Sequence, residues 1–113
     1  MTSSIDHEIL SELTDSIGTS SLARIIKAFL DELDTQIVDI CTHLAAGQID
    51  QVEDLAHSLK STTATFGATD LNVIAEKLEQ AARSENRNAL VPLVESLRNC
   101  AQEIKPLFTS YTE

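Results

Sequence analysis

The sequence predicts an all-α fold: an antiparallel up-and-down four-helix bundle with a short additional N-terminal helix. Apolar residues recur at the three- and four-residue spacing of helices in five segments. Only three glycines and two prolines interrupt them, and alternating apolar and polar runs that could form strands are scarce. Because 113 residues with 42% apolar content suffice for one hydrophobic core, we expect a single domain over residues 1–113.

The first predicted helix is short, and the second is long. The first has apolar residues at Ile5, Ile9 and Leu13 and ends at the Gly18 turn. Ser20 or Ser21 would cap the start of the second helix, and Gly47 would follow its end. The apolar face of the second helix comprises Leu22, Ile25, Ile26, Phe29, Leu33, Ile37, Ile40 and Leu44.

The third and fourth predicted helices are antiparallel, because only two or three residues separate them. The third covers about residues 50–66 and ends at Gly67, where a left-handed residue is wanted. Thr69 or Asp70 would cap the fourth. The inward residues of the third helix are Val52, Leu55, Leu59, Thr62 and Phe66, with Thr63 also towards the core, and those of the fourth are Leu71, Ile74, Ala75, Leu78 and Ala82.

A fifth helix is predicted after the polar segment 84–88. Pro92 fits its first turn, whereas Pro106 should kink or fray its end. Its apolar residues are Leu90, Leu93 or Val94, Leu97, Ala101, Ile104 and Phe108.

The charge of the chain limits its partners. A formal net charge of −10 argues against nucleic acid or an anionic membrane surface, so we expect a protein partner. No apolar run approaches the roughly 18 to 20 residues that span a bilayer. Cys41 and Cys100 lie on apolar stripes and no secretory leader is visible, which favours a cytoplasmic protein with reduced thiols.

His57 is the residue of chemical interest on the third helix. At about 100° per residue it lies about 180° from the centre of the predicted apolar face, and therefore faces water. Lys60 lies about 60° from it, and Ser61 and Ala64 lie within about 40°. Small side chains at 61 and 64 keep the surface low enough for another macromolecule to reach the imidazole, which explains part of the Ser and Thr content of this helix, since neither residue is a strong helix former.

An exposed imidazole is largely neutral near neutral pH and can act as a nucleophile, while the Lys60 ammonium could steady an incoming anion. A lone exposed histidine is most often only a polar surface residue. Here the neighbouring cation and the low surface favour a function. Without a pocket to activate a substrate, most of the chemistry must come from whatever docks.

The motif around this histidine resembles that of the histidine-containing phosphotransfer (HPt) domain. The matching residues are His57-Ser58-Leu59-Lys60, Phe66-Gly67-Ala68, Leu71 and Leu78-Glu79. By this resemblance His57 is the phosphoacceptor through Nε2, Lys60 assists through its charge, and Gly67 forms the sharp turn. Glu79 falls near the position where members carry Gln or Glu oriented towards the histidine, with a solvated carboxylate as the alternative.

The resemblance also implies partners. These are response-regulator receiver domains and a hybrid sensor histidine kinase, with the receiver bringing the aspartate and Mg²⁺, and with no cofactor on this chain, which we expect to be a monomer. The docking face would be the exposed side of the third helix with nearby apolar positions, including the first helix. Ser61 and Ala64 replace the usual glycines, which affects which receiver fits.

The same resemblance describes a phosphocarrier without an ATP site, and the sequence has no Gly-rich nucleotide loop. We expect no ATP hydrolysis or autophosphorylation. The chain could be a freestanding carrier or the terminal domain of a hybrid kinase.

Two alternatives belong to other classes. One is a receiver-binding adaptor that carries no phosphate. The other is a metal-binding bundle, suggested by the pairs Asp54/His57 and Asp39/His43, although a di-metal core needs two inward pairs and His57 points outward. His43 and His7 otherwise have no supporting constellation and are interpreted as surface residues.

Overall fold

The structure is a computed structural model that describes residues 4–112, and helices account for nearly all of this part of the chain. The ends of the predicted domain, residues 1–3 and 113, lie outside the described residues. The helices are α1 His7–Ile17, α2 Thr19–Ala45, α3 Ile49–Thr65, α4 Thr69–Arg83 and α5 Arg87–Ile104, followed by a 3₁₀ turn Lys105–Phe108 and a final turn α6 Thr109–Thr112. Residues 4–112 contain no strand, which confirms the all-helical prediction.

The helices enclose one hydrophobic core. α3 packs against α2 and α4, α5 packs against α4 and α2, and α1 lies on α2. Three-residue connections, 46–48, 66–68 and 84–86, join the four longer helices. The largest fully buried side chains are Leu10, Leu22, Ile26, Leu33, Ile40, Leu59, Leu71, Leu78, Leu90, Leu97, Ile104 and Phe108. No helix within this described part is long and apolar enough to cross a membrane.

Two of the predicted turns depend on glycine. Gly47 and Gly67 have φ angles of +75° and +70°, the left-handed region expected of residues that follow a helix. Gly67 also accepts a hydrogen bond through its carbonyl from the backbone N–H of Asp6, at 2.8 Å. This bond ties the segment before α1 to the end of α3.

The predicted N-cap of α2 is wrong by two to three residues. Ser20 and Ser21 lie inside the helix, and Gly18 occupies the N-cap position. Gly18 also ends α1, so a single residue connects the two helices and leaves no room for a serine cap. Ile25 was predicted to face inward but is 39% exposed.

The predicted side-chain cap of α4 is also absent, because both candidate residues bind elsewhere. Ala68 occupies the N-cap position without a side-chain hydrogen bond. Asp70 Oδ2 accepts a hydrogen bond from the Ser4 backbone N–H at 2.7 Å, and Thr69 Oγ1 donates to the Ser4 carbonyl at 3.4 Å. These polar groups therefore fix the N-terminal segment.

Of the two prolines in and after the last helix, Pro92 lies at a different position than predicted, whereas Pro106 does not. The Asn86 side chain accepts a hydrogen bond from the Ala89 N–H, so α5 begins at Arg87. Pro92 consequently lies in the second turn rather than the first. The helix gives way to a 3₁₀ turn at Lys105, next to Pro106, as predicted. Of the two cysteines, Cys100 is buried and Cys41 is half-buried.

Candidate functional site

The orientation of α3 determines which side chains form the candidate site. Its buried face contains Thr63, as predicted, and Ala56, which was not predicted to face inward. Leu55 and Thr62, also predicted to face inward, are half-buried. On a wheel of 100° per residue the observed face is rotated by about 50° from the predicted one. The small side chain of Ala56 and the hydroxyl of Thr63, both fully buried, allow close packing in this orientation.

His57 remains on the outside of α3 after this rotation. It lies about 130° from the centre of the buried face rather than about 180°, which turns it towards α4. Its side chain is 67% exposed. The Nδ1 edge of the ring faces Glu79 on α4, and within residues 4–112 the Nε2 atom makes no hydrogen bond.

Glu79 is a buried carboxylate, with its side chain 5% exposed. Its Oε2 lies 2.5 Å from His57 Nδ1, and its Oε1 accepts a hydrogen bond from Lys60 Nζ at 2.6 Å. A charge removed from water is stable only with such partners. The alternative of a solvated carboxylate is therefore wrong, and Glu79 points at the histidine.

The protonation state of Glu79 determines that of the imidazole edge it faces. The hydrogen bond from Lys60 is the largest cause that lowers the pKa of Glu79 below its ordinary value of 4.5; burial opposes this effect, and His57 adds to it. An ionised carboxylate can only accept hydrogen bonds, so Nδ1 of His57 must carry the proton. In the neutral imidazole the lone pair is then on Nε2, the nitrogen that faces solvent.

Lys60 lies one turn after His57 and is held by Glu79 rather than extending freely. Its side chain is 34% exposed. The backbone carbonyl of Lys60 accepts a hydrogen bond from Asn72 Nδ2 at 2.7 Å, and Thr63 Oγ1 also lies within hydrogen-bonding distance of that amide, at 3.3 Å. Asn72 thus fixes the turn of α3 that carries Lys60, a contact that the sequence patterns did not reveal.

A second cation, Arg83, reaches the same carboxylate and was also missed. Its Nη2 donates to Glu79 Oε2 at 3.4 Å, and its Nε donates to Glu53 Oε2 at 2.9 Å. Glu53 and His57 are four residues apart on α3, and Glu79 and Arg83 are four apart on α4. The i, i+4 spacing of opposite charges in the sequence could have indicated that Glu79 and Arg83 form an ion pair.

The remaining predicted site residues lie near the histidine on α3 or at its end. Ser61 and Ala64 are exposed on the outer face of α3, and their small side chains leave the surface beside the imidazole low. Gly67 is buried in the turn that follows and does not contact His57 through any hydrogen bond. Ser61 and Ala64 therefore border the imidazole, whereas Gly67 shapes the end of the helix.

The metal alternative finds no cluster to support it within residues 4–112, where no three His, Cys, Asp or Glu side chains are grouped to hold an ion. His43 instead pairs with Gln48, with Nδ1 and Oε1 2.6 Å apart, and His7 Nδ1 lies 2.5 Å from the Tyr111 hydroxyl. His7 is exposed and His43 is half-buried, and within residues 4–112 neither pairs with a carboxylate.

The His57 imidazole is an exposed nucleophile whose orientation is fixed by Glu79 on its Nδ1 side. The carboxylate fixes the ring and holds its proton, while the opposite nitrogen presents a lone pair to solvent. The ring is mostly exposed and is not enclosed by its neighbours within residues 4–112. Such a site can accept an electrophilic group from a molecule that docks on α3, and cannot enclose a small substrate by itself.

Comparisons with known proteins indicate the family of the chain. The family model of the Hpt domain matches residues 24–106. The phosphorelay protein LuxU of Vibrio vulnificus (strain YJ016) is 27% identical over 79 residues, which are 70% of this chain and 69% of LuxU. LuxU of Vibrio cholerae is 29% identical over 72 residues, 64% of either chain.

A solved structure has the same fold. The crystal structure of histidine-containing phosphotransfer protein B (HptB) from Pseudomonas aeruginosa PAO1 superposes with a TM-score of 0.91 at 20% identity, covering 96% of this chain and 93% of HptB. Since the Hpt model covers well over half of the residues and includes the whole of α3 and α4, the chain belongs to the Hpt domain family, the histidine phosphotransfer domains of phosphorelays.

Proposed function

We propose that His57 is the phosphoryl carrier of this chain, taking the group from the aspartyl phosphate of one receiver domain and giving it to the aspartate of another. The observation that carries the proposal is the Nδ1 contact with the buried Glu79, since it leaves the reactive Nε2 lone pair in solvent. Family members are phosphocarriers rather than kinases, and HPt domains interact with receiver domains and kinases.

The transfer step follows from this geometry. The Nε2 lone pair attacks phosphorus, the bond between phosphorus and the aspartyl oxygen breaks, and its electron pair leaves with the receiver's carboxylate. The proton stays on Nδ1, because Glu79 accepts its hydrogen bond before and after transfer. The ring becomes cationic in the product, and the adjacent carboxylate stabilises this charge.

The docking partner supplies the rest of the catalysis. Phosphoryl transfer passes through a loose transition state that depends on in-line positioning and charge neutralisation. We assign these tasks to the receiver's aspartate and Mg²⁺, with Lys60 contributing one nearby positive charge. The low side chains of Ser61 and Ala64 let the receiver approach, and their replacement of glycine narrows the set of receivers that fit.

For the chain as a whole, we propose a single domain in which the four longer helices form an antiparallel up-and-down bundle with α1 as an additional N-terminal helix. It would act as a cytoplasmic monomer without nucleic-acid or membrane contact. It would have no ATP site of its own and would receive the phosphoryl group from a hybrid sensor kinase. The helix packing and the net charge of −10 support this description.

A transfer assay with purified receivers from the same organism tests the function. Receivers carrying ³²P-aspartyl phosphate are mixed with the protein, and acid-labile label on the protein is measured. His57→Gln should accept none, whereas His43→Gln, which alters a half-buried histidine on α2, should be labelled normally. Normal labelling of His57→Gln contradicts the proposal, and receiver binding without any labelling of the unmodified protein favours the adaptor.

A further inference from the structure

Arg83 joins α4 to α3 beside the candidate site. Its guanidinium binds Glu53 on α3 through Nε at 2.9 Å and Glu79 on its own helix through Nη2 at 3.4 Å. The bond to Glu53 is the largest cause that raises the pKa of Arg83 above its usual value. Glu53 lies one turn before His57, so this pair and the candidate site share the same stretch of both helices.

The two oxygens of Glu79 have different partners. Oε1 binds Lys60, whereas Oε2 binds both His57 and Arg83. The Lys60 side chain is about one-third exposed, and its stem of four methylene groups is long enough for the ammonium to exchange Glu79 for another partner. A phosphoryl group on His57 would attract this ammonium, and Oε1 would then lose its partner.

A buried carboxylate that loses its cation tends to bind a proton or to rotate towards water. Either change would remove the acceptor of the His57 Nδ1 proton. Arg83 opposes both changes because it binds Oε2 independently of Lys60, and because its guanidinium is fixed in orientation by Glu53.

We propose that Arg83, held by Glu53, is a positioning residue that keeps the Glu79 carboxylate ionised and aimed at His57 Nδ1 while Lys60 turns to the phosphoryl group. The proposal rests on the proposed function for the presence of that group. The anchoring itself exists in the unphosphorylated protein, where it can be measured separately.

The first experiment is a double-mutant cycle read by ¹⁵N NMR of the imidazole nitrogens, at alkaline pH in unphosphorylated protein. Arg83→Gln alone and Lys60→Met alone each leave Glu79 one anchor, so His57 should remain mainly in the Nδ1–H tautomer. In the double variant the ratio of Nδ1–H to Nε2–H tautomers should fall by about threefold or more beyond the product of the single changes. Arg98→Gln, an exposed arginine on α5, is the matched control and should change nothing.

Conservative variants separate positioning from simple stability. Arg83→Lys should recover part of the tautomer ratio in the Lys60→Met background, and Glu53→Gln should shift it in the same direction as Arg83→Gln. An unchanged ratio for Arg83→Gln in the Lys60→Met background overturns the proposal. If Arg83→Gln does not fold, the same comparison is made with Glu53→Gln, and an unchanged ratio there is equally contrary.

The second experiment uses protein phosphorylated by a receiver. The Nδ1–H proton of phosphohistidine should exchange with solvent faster in Arg83→Gln than in the unmodified protein, although Lys60 is present in both. Equal exchange rates would show that Lys60 does not leave Glu79 or that Arg83 does not replace it. If the protein accepts no phosphoryl group, the proposed function is refuted. The double-mutant cycle on the tautomer ratio still tests whether Arg83 anchors Glu79, because it uses unphosphorylated protein.

Discussion

Replacing Gly67 with alanine should destabilise the protein for two separable reasons. The residue has φ of +70°, which costs an L-residue with a side chain about 1–2 kcal/mol. An added Cβ would also lie 3.0 Å from the Asp6 carbonyl oxygen and 3.1 Å from Asp6 Cβ. The Asp6 segment must then move by a few tenths of an ångström, which weakens the 2.8 Å bond from its N–H to the Gly67 carbonyl, a loss of about 0.5–1.5 kcal/mol.

Gly47→Ala provides the matched control for this prediction. Gly47 has a similar φ of +75°, but an added Cβ would meet only the Arg87 guanidinium, no closer than 3.7 Å. Both substitutions restrict the unfolded chain equally. Gly67→Ala should therefore lower the free energy of unfolding by about 1 kcal/mol more than Gly47→Ala does.

Urea unfolding followed by circular dichroism measures this difference. With an m-value of about 2 kcal/mol/M, the midpoint of Gly67→Ala should lie about 0.5 M below that of Gly47→Ala. Amide exchange at Asp6 should also be faster in Gly67→Ala alone. Equal midpoints together with unchanged exchange at Asp6 would refute the idea that close approach of the N-terminal segment requires glycine here.

Three further predictions concern the site and the turn that carries it. Glu79→Gln should lose less stability on acidification than the unmodified protein, because the lowered pKa of Glu79 gives stability that is present above pH 4.5 and is lost as pH falls below it. Urea midpoints at about pH 7 and about pH 3.5 measure this difference, and equal acid sensitivity of the two proteins would contradict it. Lys60→Ala should slow phosphoryl transfer from a receiver without abolishing it, and an unchanged rate in the label assay would remove the charge role of Lys60. Asn72→Ala should cost about 1–2 kcal/mol in urea unfolding, since it removes the bond to the Lys60 carbonyl, and a cost near zero would show that this contact is not formed.

Much of the fold was predictable because apolar spacing depends only on helical geometry. The five helices and the left-handed glycines at 47 and 67 followed from local patterns. The caps of α2 and α4 did not. Asp70 and Thr69 bind Ser4, a residue distant in sequence, so no local rule could assign them.

The candidate site was predictable on α3 but not across to α4. The exposure of His57 and the low side chains beside it follow from positions on one helix. The contact with Glu79 depends on how far α3 is rotated against α4, which the packing of Ala56 and Thr63 determines. A wheel centred on the largest apolar residues misjudged that rotation by about 50°, because small buried residues set the closest approach.

On α3, the residues that stabilise the fold and the residues that a partner would contact lie on different faces. Leu59 and Thr63 are sealed in the interior, whereas Ser61 and Ala64 stand in water, where substitutions typically change folding by no more than about 0.5 kcal/mol. If a receiver docks on this face as proposed, exchanges at the outer positions would change its fit while the free energy of unfolding stays nearly constant. A few such exchanges would then be enough to redirect the carrier from one receiver to another.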